Sequence, residues 1–259
     1  LTTYNGTNYM TTVLLGACLA AVFGAMLAVS IMRLSGTYVV IVTMAFYYVV
    51  SSIILNWESV TRGAAGIYNI PKPIIFGYEL TLKNGGILYL ISFYVALTIL
   101  VTRLVINSNV GRSIKAIRED EMAAVMMGIN VRKYKVIAYV MSAFFAGLAG
   151  TLYGPFIGYI NSSTFNYEIC ISSLVIIILG GIGTTRGALI GAIIIAPLGE
   201  ILRGLTTYIK GLPSWMQISE PEQWRFVIYG LIMLLMMHFR PQGVLGGQSR
   251  SPYRMLKGI

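Results

Sequence analysis

GRSIKAIREDEMAAVMMGIN, residues 111–130, is a charged island in a greasy chain. Three bases, Arg112, Lys115 and Arg118, are followed at once by three acids, Glu119, Asp120 and Glu121. The surrounding chain of 259 residues is 56% hydrophobic and only 11% charged, with a mean hydropathy of +0.76. Soluble domains average about 25% charged residues. The composition therefore selects a membrane protein, and the island needs a reason to exist inside it.

Apolar runs long enough to cross a bilayer core of about 30 Å recur on both sides of the island. Seven segments are predicted: 12–32, 38–55, 86–106, 136–160, 169–181, 187–202 and 224–239. The fifth and sixth are short and joined by GGIGTTRG (180–187), which reads as a tight inter-helix turn in an incompletely spanning pair. The expected fold is an all-α, polytopic transmembrane helical bundle, with residues 1–259 as one transmembrane domain.

Charge orients the bundle. The 107–135 loop carries Arg112, Lys115, Arg118, Arg132, Lys133 and Lys135, and the 240–259 tail carries Arg240, Arg250, Arg254 and Lys257 with no acid. Lys and Arg collect in cytoplasmic loops, so both are expected inside the cell. The net charge of +10 follows from this topology and is no nucleic-acid signal. Seven crossings with the tail inside put residue 1 outside. That parity, with a start at Leu1 and no signal-peptide pattern, predicts earlier helices upstream.

Small residues predict the packing. Lipid tails are as apolar as Leu, so membrane helices associate through close van der Waals contact. Gly16, Ala20, Gly24 and Ala28 repeat every four residues, as do Gly150, Gly154 and Gly158, and Gly187 with Gly191. Pro155 and Pro197 lie inside segments, where proline removes a backbone donor and kinks a helix.

Several function classes find no residues to support them. There is no GxxxxGK[ST] phosphate loop, and a single His238 builds neither a metal site nor a histidine relay. Cys18 and Cys170 sit in apolar runs without ligand spacing. No segment centre carries an unambiguous charge, the usual mark of ion coupling. Glu168 is expected to cap the fifth segment and Glu200 to pair with Arg203.

Residues 111–130 then read as about four turns of helix. Ser113 is an acceptable N-cap and Gly128 a left-handed C-terminal residue. Lys115 is expected to pair with Glu119, and Arg118 with Glu121. Ile114, Ile117, Ala124 and Val125 form an apolar stripe interrupted by Glu121, while Ala123, Ala124 and Gly128 keep the second half slim. Such a helix fits a groove on a soluble partner better than an anionic headgroup surface, which the three acids would face.

EMAAVMMGIN resembles the EAA-type coupling motif of bacterial ABC importer permeases, with Glu121, Ala123, Ala124 and Gly128 in matching places. The longer run GRSIKAIREDEMAAVMMGINVRKYKVIAYVMSAFFAGLAGTLYG resembles the M-type permeases of the Liv branched-chain amino-acid importers. So do RLSGTYVVIVTMAF (33–46), NWESVTRGAAGI (56–67), ILGGIGTTRGALIGA (178–192) and FRPQGVLGG (239–247). The blocks cover nearly the whole chain in order, although the family's glycine-rich early segment is not found.

The resemblance implies a permease fold of the Liv/simple-sugar type and transport by alternating access. It implies a second related permease subunit, two ATPase subunits supplying ATP and Mg chemistry, and an extracytoplasmic substrate-binding protein, all at a bacterial inner membrane. This chain itself would bind no cofactor, metal or nucleic acid and catalyse nothing. ATPase coupling is assigned to Arg118, Glu119, Asp120, Glu121, Ala123, Ala124 and Gly128. Gly36, Thr37, Thr43, Asn56, Trp57 and Pro155 are expected along the substrate path. Branched-chain or other hydrophobic amino acids are the leading substrates. Urea, short amides or nucleosides are the alternative, and an ATPase-independent channel or carrier is a reading of a different class.

Overall fold

A computed structural model describes residues 9–32, 34, 36–75, 78–81, 84–181, 183–209, 224–240 and 243. The turn at Arg33, the 210–223 segment and most of the 240–259 tail lie outside the described residues, as do the side chains of Glu200 and Arg203. The helices are α1 (Tyr9–Ile31), α2 (Thr37–Asn56), a single turn α3 (Glu58–Thr61) and α4 (Gly86–Asn107). Then follow α5 (Asn109–Glu119), α6 (Glu121–Met126), α7 (Val131–Ile157), α8 (Tyr167–Gly180), α9 (Thr185–Ile209) and α10 (Trp224–Phe239). Four two-residue strands, β1 (Ile67–Tyr68), β2 (Ile74–Ile75), β3 (Tyr78–Glu79) and β4 (Tyr159–Ile160), pair as β1 with β4 and β2 with β3, both antiparallel.

All seven predicted segments are helices, and four, α1, α2, α4 and α7, are long and apolar enough to cross a membrane. Their outward residues are large and apolar: Leu14 is 62% exposed and Leu104 65%. Such a surface needs lipid. The sixth segment differs from expectation. α9 continues for 25 residues across Pro197, whereas α8 has only 14. Residues 1–164 and 165–259 form two compact units.

In the first unit, α1 and α7 run antiparallel along a seam of small residues. A Cβ on Gly16 would overlap Thr151, one on Gly147 would overlap Ala20, and one on Gly24 would overlap Ala143. Each step of four along α1 is met by a step of four along α7, so the backbones approach closely. The α1 half of this seam is the predicted stripe. The α7 half is Ala143, Gly147 and Thr151, not Gly150, Gly154 and Gly158. Gly154 instead packs near Ile160 and Ile70, and Gly158 ends the helix at φ 81°. Beside the seam, Tyr9, Val13, Leu90 and Tyr94 form a buried cluster with Leu148 and Leu152.

At the far end of α7 the NWESVTRGAAGI block forms a cap. Thr61 Oγ1 lies 2.7 Å from the Trp57 carbonyl and accepts from Gly63 N–H, tying the end of α2 into a tight turn. A Cβ on Gly66 would overlap the Ile160 carbonyl, so the block closes directly on β4. Tyr68 and Tyr159 stack there at 4.5 Å. The Tyr159 hydroxyl beside it raises the Tyr68 phenol above its ordinary pKa, and Tyr159 itself donates to the Ala65 carbonyl.

In the second unit, ILGGIGTTRGALIGA is the expected tight hairpin. Gly180 and Gly187 touch backbone to backbone, and Gly191 meets the Ile176 carbonyl. Thr184 accepts from Gly187 N–H at the start of α9. Val175, Leu179, Ile195 and Tyr229 form the core. α8 is capped by Asn166, which accepts from Ile169 N–H, while the expected cap Glu168 sits in the first turn.

Candidate functional site

The charged island folds as an elbow of two helices rather than one. Its first corner is Ser108, whose Oγ donates to the Val105 carbonyl at 2.7 Å and accepts from Gly111 N–H. Ser108, not Ser113, is therefore the N-cap of α5. Gly111 is buried where α5 folds back over the end of α4, and a Cβ there would overlap the Val105 and Ile106 carbonyls. Arg112 turns back to hydrogen-bond Asn109 Oδ1.

The second corner is Asp120, in extended backbone at φ −155° and ψ 114°. Its Oδ1 accepts from Met122 N–H at 2.8 Å and Ala123 N–H at 2.9 Å. An aspartate that caps a new helix competes with continuation of the old one. The single helix expected over 111–130 thus becomes α5 and the six-residue α6.

The third corner is Gly128, at φ 78° as the sequence predicts. Ile129 N–H reaches back to the Ala124 carbonyl at 3.0 Å and Gly128 N–H to Val125 at 2.9 Å, closing the end of α6. Two residues later Asn130 Oδ1 accepts from Lys133 N–H at 3.1 Å and starts α7. Every corner between 108 and 130 is thereby fixed by a local hydrogen bond, which gives a slim connector a defined shape.

The charges pair differently from expectation. Among the described residues the single ion pair joins Lys135 Nζ to Glu121, with both carboxylate oxygens at 2.7 Å. Arg118–Glu121 is not formed, because Glu121 is held by Lys135 on α7 and the helix break removes the i+3 geometry. Lys115–Glu119 is not formed either, although both residues lie on α5. Arg118, Glu119, Asp120, Ala123 and Gly128 are exposed, and Ala124 is buried at 3%. Of the predicted apolar stripe, Ile114 and Ile117 are half-buried and Val125 is exposed.

What the sequence reading missed is the outward face of α6. Met122 is 70% exposed, Met126 82% and Met127 81%, with Val125 beside them. The break at Asp120, which the Asp-x-x spacing of an N-cap could have signalled, turns these side chains away from the spans.

The expected path residues do not gather. Gly36, at φ 58°, and Thr37 begin α2, and Asn56 and Trp57 stand at its far end. At 1.5 Å per residue the two ends are about 30 Å apart. Thr43 lies between and donates to the Val40 carbonyl. Asn56 donates to Ser52. α2 has no fully buried residue. Pro155 sits in the last turn of α7, just before the Gly158 end and away from its middle.

A cavity of about 530 Å³ opens between α1, α4 and α7, but none of these six residues lines it. Its two hydroxyls are engaged internally, Thr98 donating to the Tyr94 carbonyl and Tyr94 to Met10 Sδ. Its remaining walls are Val, Leu, Ala, Phe and Met, so it has nothing to hold a zwitterion's charges. Among the described residues no group of three His, Cys, Asp or Glu side chains could hold a metal ion.

Helices of spanning length with lipid-type surfaces, joined by a polar elbow, define a multi-pass membrane protein whose connector is built to a fixed shape. The chain belongs to the family described as branched-chain amino acid transport system / permease component, whose model matches residues 1–237. It is 31% identical over 93% of its length to the high-affinity branched-chain amino acid transport system permease protein LivM of Escherichia coli K12, spanning 58% of that protein. The LivH permease of the same organism is 29% identical over 74% of the chain and 59% of its own length. A probable LivM of Methanocaldococcus jannaschii is 24% identical over 70% of the chain and 52% of that protein. The chain thus spans little more than half the length of these relatives. No solved structure matches it.

Proposed function

We propose that the chain is the membrane-spanning permease subunit of an ATP-driven importer of branched-chain, hydrophobic amino acids. It works by alternating access coupled to separate ATPase subunits, and hydrolyses no ATP itself. The observation that carries this reading is the elbow. α6 sits on a shaped connector between two spans and turns Met122, Val125, Met126 and Met127 outward. An exposed apolar cluster marks an interaction site, and methionine adapts to an irregular groove.

The names of the relatives support the substrate class, and the match to both LivM and LivH supports a second related permease as partner. Two ATPase subunits, with ATP and Mg, would seat on the elbow, and a binding protein would deliver substrate on the other side. The protein is read as lying in a bacterial inner membrane with 107–135 and 240–259 in the cytoplasm, by their excess of Lys and Arg. Closure of the ATPase pair pushes α6, and α4 and α7 carry the movement into the membrane. The path is assigned to the α2 side, with Gly36, Thr37, Thr43, Asn56 and Trp57, and to Pro155.

Uptake of labelled leucine by cells holding the complete importer, with and without this subunit, tests the function. Unchanged uptake on its removal would contradict it. Orientation is tested separately, in a background lacking Cys18 and Cys170. Asp120→Cys is expected to be shielded from an impermeant thiol reagent in intact cells, and Lys72→Cys to react. Labelling of Asp120→Cys from outside overturns the coupling reading.

A further inference from the structure

We propose that Lys135 is a positioning residue for coupling: it clamps Glu121 from within the chain and so fixes α6 as a lever on α7. The proposal rests on the coupling reading above. Lys135 stands at the start of the second turn of α7, and its Nζ meets both oxygens of Glu121 at 2.7 Å. The pair closes the 121–135 loop, whose other corners are Gly128 and the Asn130 cap.

The two side chains are 39% and 53% exposed. An ion pair that open adds little to stability, so its contribution is geometric. The contact ties α6 to α7 at a second point besides the 127–130 backbone. With Glu121 occupied by Lys135, the outward contact falls to the methionines. A push on Met122 and Met126 then reaches α7 through Glu121 as well as through the 127–130 backbone. From α7 it passes to the α1 seam at Ala143, Gly147 and Thr151. Without the clamp, the push reaches α7 through the 127–130 backbone alone.

The test is a charge-reversal cycle in the complete importer reconstituted in proteoliposomes, scored by leucine uptake per ATP hydrolysed. Glu121→Lys and Lys135→Glu each place like charges together, and each is expected to lower that ratio about tenfold. Folded yield should persist, and the ratio is read against each variant's own ATP turnover. The double reversal restores the pair and should return the ratio to within about twofold of wild type. Lys135→Arg keeps the charge and should stay near wild type.

A double reversal as defective as Glu121→Lys alone overturns the proposal, because Glu121 would then answer to another group. Pull-down of the ATPase subunits by a Met126→Asp variant separates the two levels. If that variant keeps its ATPase subunits, the coupling reading falls and the proposal with it. If it releases them and the double reversal still fails, only the role of Lys135 is overturned.

Discussion

Gly147 and Gly128 are the same residue doing unrelated jobs. At Gly147 the missing Cβ is what matters. A methyl there would overlap Ala20, and the Ala17 Cα and Gly16 carbonyl stand at 3.1 Å. At Gly128 space is irrelevant, since nothing lies within 4 Å of a Cβ, and what matters is φ at 78°. The seam between α1 and α7 uses small residues to bring two backbones together. The elbow uses them to leave a surface uncovered. The bundle is thus held by contact between helices, and the connector by hydrogen bonds inside itself, so the two regions should fail separately.

The largest effect is expected in the seam. Gly147→Leu forces a branched side chain against backbone that cannot retreat, and overpacking of that kind costs about 1–3 kcal/mol, occasionally more. Most of the folded, monodisperse protein should be lost from detergent extracts, and uptake with it. Gly147→Ala should show a smaller loss in the same direction. A normal yield of Gly147→Leu would mean that the seam is not the main contact.

Gly128→Val comes next. A β-branched residue at positive φ costs about 1–3 kcal/mol, but the strain stays in the elbow. Yield should match wild type while leucine uptake falls about tenfold, the equivalent of roughly 1.4 kcal/mol. Loss of membrane insertion instead would show that the elbow is structural, and the contrast with Gly147 would collapse.

Met126→Ala sharpens the contrast further, because it touches neither backbone nor seam. If Met126 is buried by a partner, its removal forfeits about 1.5–3 kcal/mol. ATPase pull-down should weaken about tenfold or more with folding untouched. The smallest effect belongs to Asp120→Ala, which deletes an N-cap worth about 1 kcal/mol. Amide exchange at Met122 and Ala123 should speed up, and uptake should fall by no more than about threefold.

The seven helices were legible because a span is an apolar run of fixed length, which composition alone reports. The predicted 224–239 segment and α10 coincide, and the others differ mainly at their ends. Which glycines touch which neighbour was only half legible. The repeat at Gly16, Ala20, Gly24 and Ala28 is one face of one helix, whereas α7 offers two rows of small residues, and a row does not state which way it points. Gly128 was readable because a left-handed residue after a helix has a local signature. The partner of Glu121 was not, because Lys135 lies on the far side of two corners and only the folded elbow brings it within 2.7 Å. Likewise the Met face becomes visible only once Asp120 breaks the helix. The path residues stay an expectation, five spread along α2 and its ends and Pro155 on α7.

The central claim is that the outward face of α6 meets an ATPase subunit. Cysteine cross-linking from Met126→Cys tests it most directly, in membranes of uptake-competent cells lacking Cys18 and Cys170. A short thiol-to-amine cross-linker should join this chain to an ATPase subunit. Leu19→Cys, on an exposed face of α1, should give no such product. Absence of any ATPase product from Met126→Cys, in membranes that still import leucine, would contradict the account.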